Sequence, residues 1–319
     1  MLPALASADI LTWLSILVKA LTYAATLLAA GSVLAHVFLR TLDPVLLRSL
    51  ALTAFLAAIA AALLSVLRLP LRASFLMGGT LEGALDPMML GMVSESPLGT
   101  AVAVRLAGLA LIPAVLIRRP PASWIAVSGA VLVCASFAFR GHALQEPRLV
   151  LGVLVTVHLL GVAFWLGAFA PLFRAAGAQA PAQAGALAHD FGTAGLWVVG
   201  GLVVAGGLTL VLLGAATPSA LTTPYGQMMA AKLAIFAGIL ALAALNKLRL
   251  TPALLAGSPD AGRDMRRSIS IEVGLIGLVL LTTAAFTTVS SPPKAATRTS
   301  ALEGDPPRPA ISFEKEDSA

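Results

Sequence analysis

Apolar runs of about twenty residues recur along this chain, and the short stretches between them carry most of its charge. Each run is long enough to cross the ~30 Å hydrocarbon core of a bilayer as a helix. Eight are readable: 10–38, 45–67, 98–117, 122–143, 149–173, 192–214, 226–250 and 268–290. Runs of Leu, Ala, Val and Gly of this length exclude the alternating ten-residue strands of an outer-membrane barrel. Only 11% of the 319 residues are charged and the mean hydropathy is +0.93, whereas soluble domains carry about 25% charge. The expected fold is all-α: a polytopic membrane bundle of about eight helices.

The net charge of +6 does not point to nucleic acid, because the basic residues sit in short inter-helix loops, where they report orientation. Arg40 and Arg48 follow the first run, Arg118 and Arg119 the third and Arg174 the fifth. Lys247, Arg249, Arg263, Arg266 and Arg267 follow the seventh. The opposite loops are poorer in basic residues, and "GAATPSALTTPYG" has no charge at all. The positive-inside rule then places both termini outside the cell. No basic n-region precedes the first run, so no cleaved signal peptide is expected. The single cysteine, Cys134, excludes an intrachain disulfide.

The segment 68–97 is the longest external loop and is expected to hold a short interfacial or re-entrant helix. The tail 291–319, rich in proline and charge, is expected to be disordered outside the membrane. There is also an internal echo. "SPLGTAVAVRL" at 96–106 matches "TPYGQMMAAKL" at 223–233, four runs later. It suggests a parallel duplication within a transmembrane domain of residues 1–290, with repeats at about 10–143 and 149–290. In transporters such repeats place the site at their interface.

His158 lies inside the fifth run, ten residues after Arg148 and so ~15 Å deep. Ionisable residues at that depth are rare and mark function more often than packing. Gly161 and Trp165 share its helical face. A neutral imidazole there can ligate a metal or a haem iron, or simply bond a neighbouring helix. His142, at the outer end of the fourth run, could receive a soft metal, and helix rise separates the two histidines by ~10–15 Å. Met88, Met89 and Met92 crowd the external loop, with Met77 upstream and Met228 and Met229 on the same side. Thioethers select Cu(I) over hard cations, although methionine is also a flexible gap-filler.

Arg105 and Lys232 occupy equivalent positions in the two repeats, ~10 Å below the outer surface. Snorkelling to the headgroups is expected of both. If they turned inward instead, the interior would be positive and would suit an anionic group such as a haem propionate. Asn246 ends the seventh run and Glu272 lies a turn into the eighth. Glu272 can be an exit ligand, a proton acceptor or an ion-pair partner of Arg266 or Arg267, and pairing is the expectation. His36 and His189 are read as ordinary boundary residues. No phosphate-binding loop, HExxH, serine-nucleophile motif or CxxC is present, so no enzyme is expected.

Five blocks together resemble the bacterial copper resistance protein D family. They are "GHA" at 141–143, "HLLGVAFWLGAFAPL" at 158–172, "TPYGQMMAAKL" at 223–233, "LAALNKLRLTP" at 242–252 and "IEVGLIGLVLLTTAAF" at 271–286. The histidine–tryptophan–glycine block is the most specific of them. The resemblance implies an inner-membrane protein that moves copper from the periplasm inward, alongside a periplasmic copper-binding partner of the CopC type. It maps the family's histidine positions onto His142 and His158, and its polar positions onto Lys232, Asn246 and Glu272. The same architecture resembles small membrane proteins that bind b-type haem through histidine. Haem b with His158 as axial ligand, serving electron transfer, is therefore the alternative to copper transport. A structural subunit whose partners supply the function is the third reading.

Overall fold

The computed structural model describes residues 9–117, 119–177, 181–214 and 224–289. The tail 291–319 and the side chains of His142 and Met228 lie outside the described residues.

Eight helices are long and apolar enough to span a membrane, and no strand occurs among the described residues. The protein is thus an all-α, multi-pass membrane bundle. The helices are α1 (Ile10–Phe38), α2 (Pro44–Leu76), two short ones, α3 (Leu81–Leu85) and α4 (Pro87–Glu95), then α5 (Pro97–Leu111) and α6 (Pro120–Ala135). Both α5 and α6 finish in 3₁₀ turns. The second half comprises α7 (Arg148–Gly177), α8 (Pro181–Leu212), α9 (Pro224–Leu245), α10 (Thr251–Leu255) and α11 (Ala261–Val289). An acid or serine opens several of them. The Asp9 carboxylate accepts from Thr12 N–H at 2.8 Å and Asp43 from Leu46 N–H at 2.7 Å. Asp86 and Ser96 cap α4 and α5, each followed by a proline at the first helical position. These side chains satisfy amide donors that a helix start leaves orphaned, and proline costs nothing there.

Two boundaries differ from the sequence expectation. Helix α2 does not stop before Arg68 but runs on to Leu76, through Pro70. Arg68 reads as a membrane border from hydropathy, yet it is buried with its guanidinium 5.8 Å from the Tyr23 ring centre. Helix α8 begins at Pro181, eleven residues before the apolar run. Its polar first turns hold the loop after α1: Asp190 accepts from the amides of Arg40 at 2.7 Å and Thr41 at 3.2 Å, while Gln183 donates to Asp43 at 3.0 Å. The segment between α2 and α5 contains two short helices, α3 and α4, where one was expected.

Helices α1 and α7 are central, each packing against several others, and they cross where Gly31 meets Gly167. A Cβ at Gly31 would overlap the carbonyl of Ala163, and one at Gly167 would overlap the backbone of Gly31. Close backbone approach through small residues is how membrane helices gain packing without a hydrophobic driving force. This crossing joins the first four spans to the last four. The core cluster runs through it, from Val33 and Ala54 to Phe164 and Leu202.

Candidate functional site

The helix face predicted from His158, Gly161 and Trp165 is real, and it turns toward α8. The backbone of Leu202 is the hydrogen-bonding group that faces the His158 imidazole. A Cβ at Gly161 would meet Leu202 at 3.1 Å and Val198 at 3.3 Å. At Gly161, between His158 and Trp165, side chains of α8 therefore close the face. Packing this close leaves no gap for a haem macrocycle against Gly161. His158 Nδ1 is buried with no partner, a state that costs about 1–3 kcal/mol unless a ligand relieves it.

Two turns further along α7, Trp165 Nε1 donates to Glu272 Oε2 at 3.2 Å. Asn246 Nδ2 donates to the other carboxylate oxygen, Oε1, at 2.5 Å. Glu272 is 1% exposed. The sequence expectation that it pairs with Arg266 or Arg267 is not met. Arg266 instead stacks over the Phe173 ring at 4.3 Å, and among the described residues the one ion pair is Arg263–Asp260, on the surface. The carboxylate is held by neutral donors alone, and the Asn246 Oδ1 beside it is buried without a donor.

These groups wall a cavity of about 360 Å³ among α7, α8, α9 and α11, together with Phe169, Phe191 and Lys247. Trp165 and Phe191 meet edge to face, with centroids 6.2 Å apart. Lys247 is no counter-ion, for its ammonium donates to the Gly192 carbonyl at 2.7 Å. Asn246 opens a π-helical turn to Leu250, in which Thr251 Oγ1 bonds back to the Asn246 carbonyl at 2.8 Å. Such bulges recur at functional sites because they re-aim a side chain, here toward Glu272. Sequence periodicity carries no signal for that turn.

His158 does not line this cavity. About 10 Å of helix rise separates it from Trp165, so the two are successive positions along one seam. The methionines are split by their helix. Met88 and Met92 are 76% and 56% exposed, four residues apart, whereas Met89 packs on Ala73, Val93, Leu98 and Val102. No group of three or more His, Cys, Asp or Glu able to hold a metal occurs among the described residues.

The repeat-equivalent cations also part company. Lys232 is half-buried beside the Phe286 ring at 5.9 Å. Arg105 does not snorkel. It is 1% exposed, lies 4.5 Å from the Phe137 ring centre, and donates through Nε to Ser136 Oγ at 3.1 Å. Lys19, Arg68 and Arg140 gather near it, and the sequence reading singled out none of them. Lys19 was the visible signal, an ionisable residue within the first apolar run.

The fold is that of a polytopic membrane protein with a buried acid in its interior. Two family models match the chain: "Copper resistance protein D-like, N-terminal domain" over residues 9–149 and "Copper resistance protein D" over 185–286. Copper resistance protein D of Pseudomonas syringae pv. tomato is 29% identical over 238 residues, covering 68% of this chain and 76% of that protein. No solved structure matches the chain. The chain belongs to the copper resistance protein D family, and its role is in copper resistance.

Proposed function

We propose that the protein carries copper across the bacterial inner membrane from periplasm toward cytoplasm, as Cu(I). Glu272 carries this reading: a carboxylate without a cation partner, on the wall of a cavity, in a chain of this family. A buried carboxylate lacking a counter-charge is stabilised by any cation that visits it. The faces of Trp165, Phe169 and Phe191 favour a cation there as well. Soft ligands come first, at the mouth and then within the bundle. Met88 and Met92 offer exposed thioethers, His142 stands at the same end of the bundle, and His158 presents an unpartnered imidazole nitrogen. A hard carboxylate is a weak Cu(I) ligand and so suits release. With the basic loops cytoplasmic, Glu272 lies toward the inner side and both termini face the periplasm. There a copper-binding protein of the CopC type would deliver the ion.

The test is copper uptake into proteoliposomes under reducing conditions. Glu272→Gln and His158→Ala are each expected to slow uptake about ten-fold or more, the scale on which loss of a ligand or its support acts. Unchanged uptake in both would refute the path. A Soret band in the purified protein that disappears in His158→Ala would replace this reading with the haem one.

A further inference from the structure

Where α1 begins and α11 ends, these two helices, α2, the start of α5 and the turn after α6 enclose a small cavity of about 80 Å³. Lys19, Arg68, Arg72 and Arg140 line it, with Thr287 and Thr288. Lys19 and Arg68 are buried, while Arg72, Phe75 and Thr287 form an exposed rim, so the cavity is reachable. Arg105 sits close behind, its charge bearing on Arg68 and Arg140. Five cations thus share one corner of a membrane protein.

Among the described residues none has a carboxylate partner. The ionisable groups that bear on Lys19, Arg68, Arg105 and Arg140 are one another, Arg72, Tyr23 and Cys134. Rings and hydroxyls supply what stabilisation there is. Tyr23 lies under Arg68, Phe137 under Arg105, and Lys19 Nζ donates to Thr288 Oγ1 at 3.3 Å. Three guanidinium nitrogens, Nη1 of Arg68, Arg105 and Arg140, are buried with no acceptor among the described residues. Like charges at this density repel, and buried unpaired donors are expensive. Snorkelling does not explain the arrangement, because Arg105 is among the most deeply buried side chains in the protein.

We infer that Lys19, Arg68, Arg72 and Arg140, backed by Arg105, bind a phosphoryl oxoanion, either free phosphate or the headgroup phosphate of an anionic lipid. Planar guanidinium forks match the paired oxygens of such a group, and a multiply charged anion suits five cations better than one carboxylate. The site is separate from the seam of His158 and Glu272, and the inference does not rest on copper.

The full chain, purified in mild detergent and washed free of lipid, tests it without copper present. Thermal unfolding is followed as sodium phosphate replaces sodium chloride at constant ionic strength. A saturable rise in the midpoint is expected. The half-saturating concentration should increase about ten-fold or more in Arg68→Gln and Arg140→Gln, the scale of one charge-assisted hydrogen bond. It should increase less in Arg72→Gln at the rim, and stay unchanged in the surface control Arg263→Gln. Native mass spectrometry with phosphatidylglycerol separates the sources. A phosphate response on lipid-free protein assigns the free ion. Lipid retained by wild type and lost in the variants, without a phosphate response, assigns the headgroup. If Arg68→Gln fails to fold, Arg72→Gln carries the comparison. No saturable phosphate response, together with equal lipid retention in wild type and variants, overturns the site.

Discussion

Glu272 and Arg105 are each 1% exposed, yet their surroundings have opposite logic. Glu272 has a donor on each carboxylate oxygen, Trp165 and Asn246, and opens onto a cavity larger than any side chain requires. Arg105 has one acceptor, Ser136, a ring beneath it, and four further cations nearby. The acid is satisfied as a hydrogen-bond acceptor and unsatisfied as a charge. The basic cluster is unsatisfied as both. A polar group that folding has already partnered can wait for a passing ion, whereas a group with orphaned donors calls for a resident one. The difference is between a station and a seat. It also removes a conflict in the sequence reading, where an inward Arg105 would repel copper at the depth of His158. Arg105 faces residues of α1, α2 and α6, and His158 faces α8.

Both regions belong to one bundle, and the contact between Gly31 and Gly167 is where it can be broken. Gly31→Val forces a branched side chain into the backbone of α7. It should destabilise the detergent-solubilised protein at the upper end of the about 1–3 kcal/mol typical of overpacking. The thermal midpoint should fall, and neither phosphate nor copper should restore it. Full stability in this variant would mean that the two halves are not locked together here.

Next in size is the loss of the acid. Glu272→Leu leaves the donors of Trp165 and Asn246 buried without acceptors, which costs about 1–3 kcal/mol. Glu272→Gln keeps an oxygen for one of them and should lose less than Glu272→Leu. Equal midpoints for the two variants would show that the carboxylate, and not the hydrogen bonds, is what the fold needs.

How much of this was readable beforehand follows from the range of each interaction. The eight spans were legible because an apolar run is a local property. Their ends were not, where polar residues turned inward: Arg68 looked like a border and is interior, and the polar start of α8 is helix that docks on the loop after α1. His158, Gly161 and Trp165 were placed on one face by period alone, and that face is confirmed by its contacts with Leu202 and Val198. Glu272 and Asn246 were named as candidates, but the bond from Trp165 joins residues 107 apart, and nothing local encodes it. The basic cluster draws on three separate helices and a loop, so although Lys19 and Arg105 each stand out inside an apolar run, nothing local groups the five.

Arg105→Met sharpens the comparison from the other side. Methionine fills a similar volume, and Ser136 keeps its own bond to the Val133 carbonyl at 2.6 Å. Removing a buried cation that has no counter-charge should be neutral or slightly stabilising in phosphate-free detergent, as replacement of buried ionic groups often is. The same variant should respond less to added phosphate. A large loss of stability without phosphate would mean that the cluster is structural in itself.

The smallest effect is expected at the methionines, and there the two readouts should part. Met88 and Met92 stand on one exposed face of α4, and neither belongs to the small core beneath it, where Met89 packs. Exchanging both for leucine removes two thioethers and leaves the apolar contacts nearly intact. The midpoint should move by no more than about 0.5 kcal/mol equivalent. Copper uptake at saturating metal should also hold, because His158 and Glu272 are untouched. Only the concentration dependence should shift, toward higher copper, since thioethers at the mouth add to capture and not to passage. Unchanged uptake at every concentration would make Met88 and Met92 ordinary surface residues, leaving His142 to receive the ion. A loss at saturation would place them on the path itself.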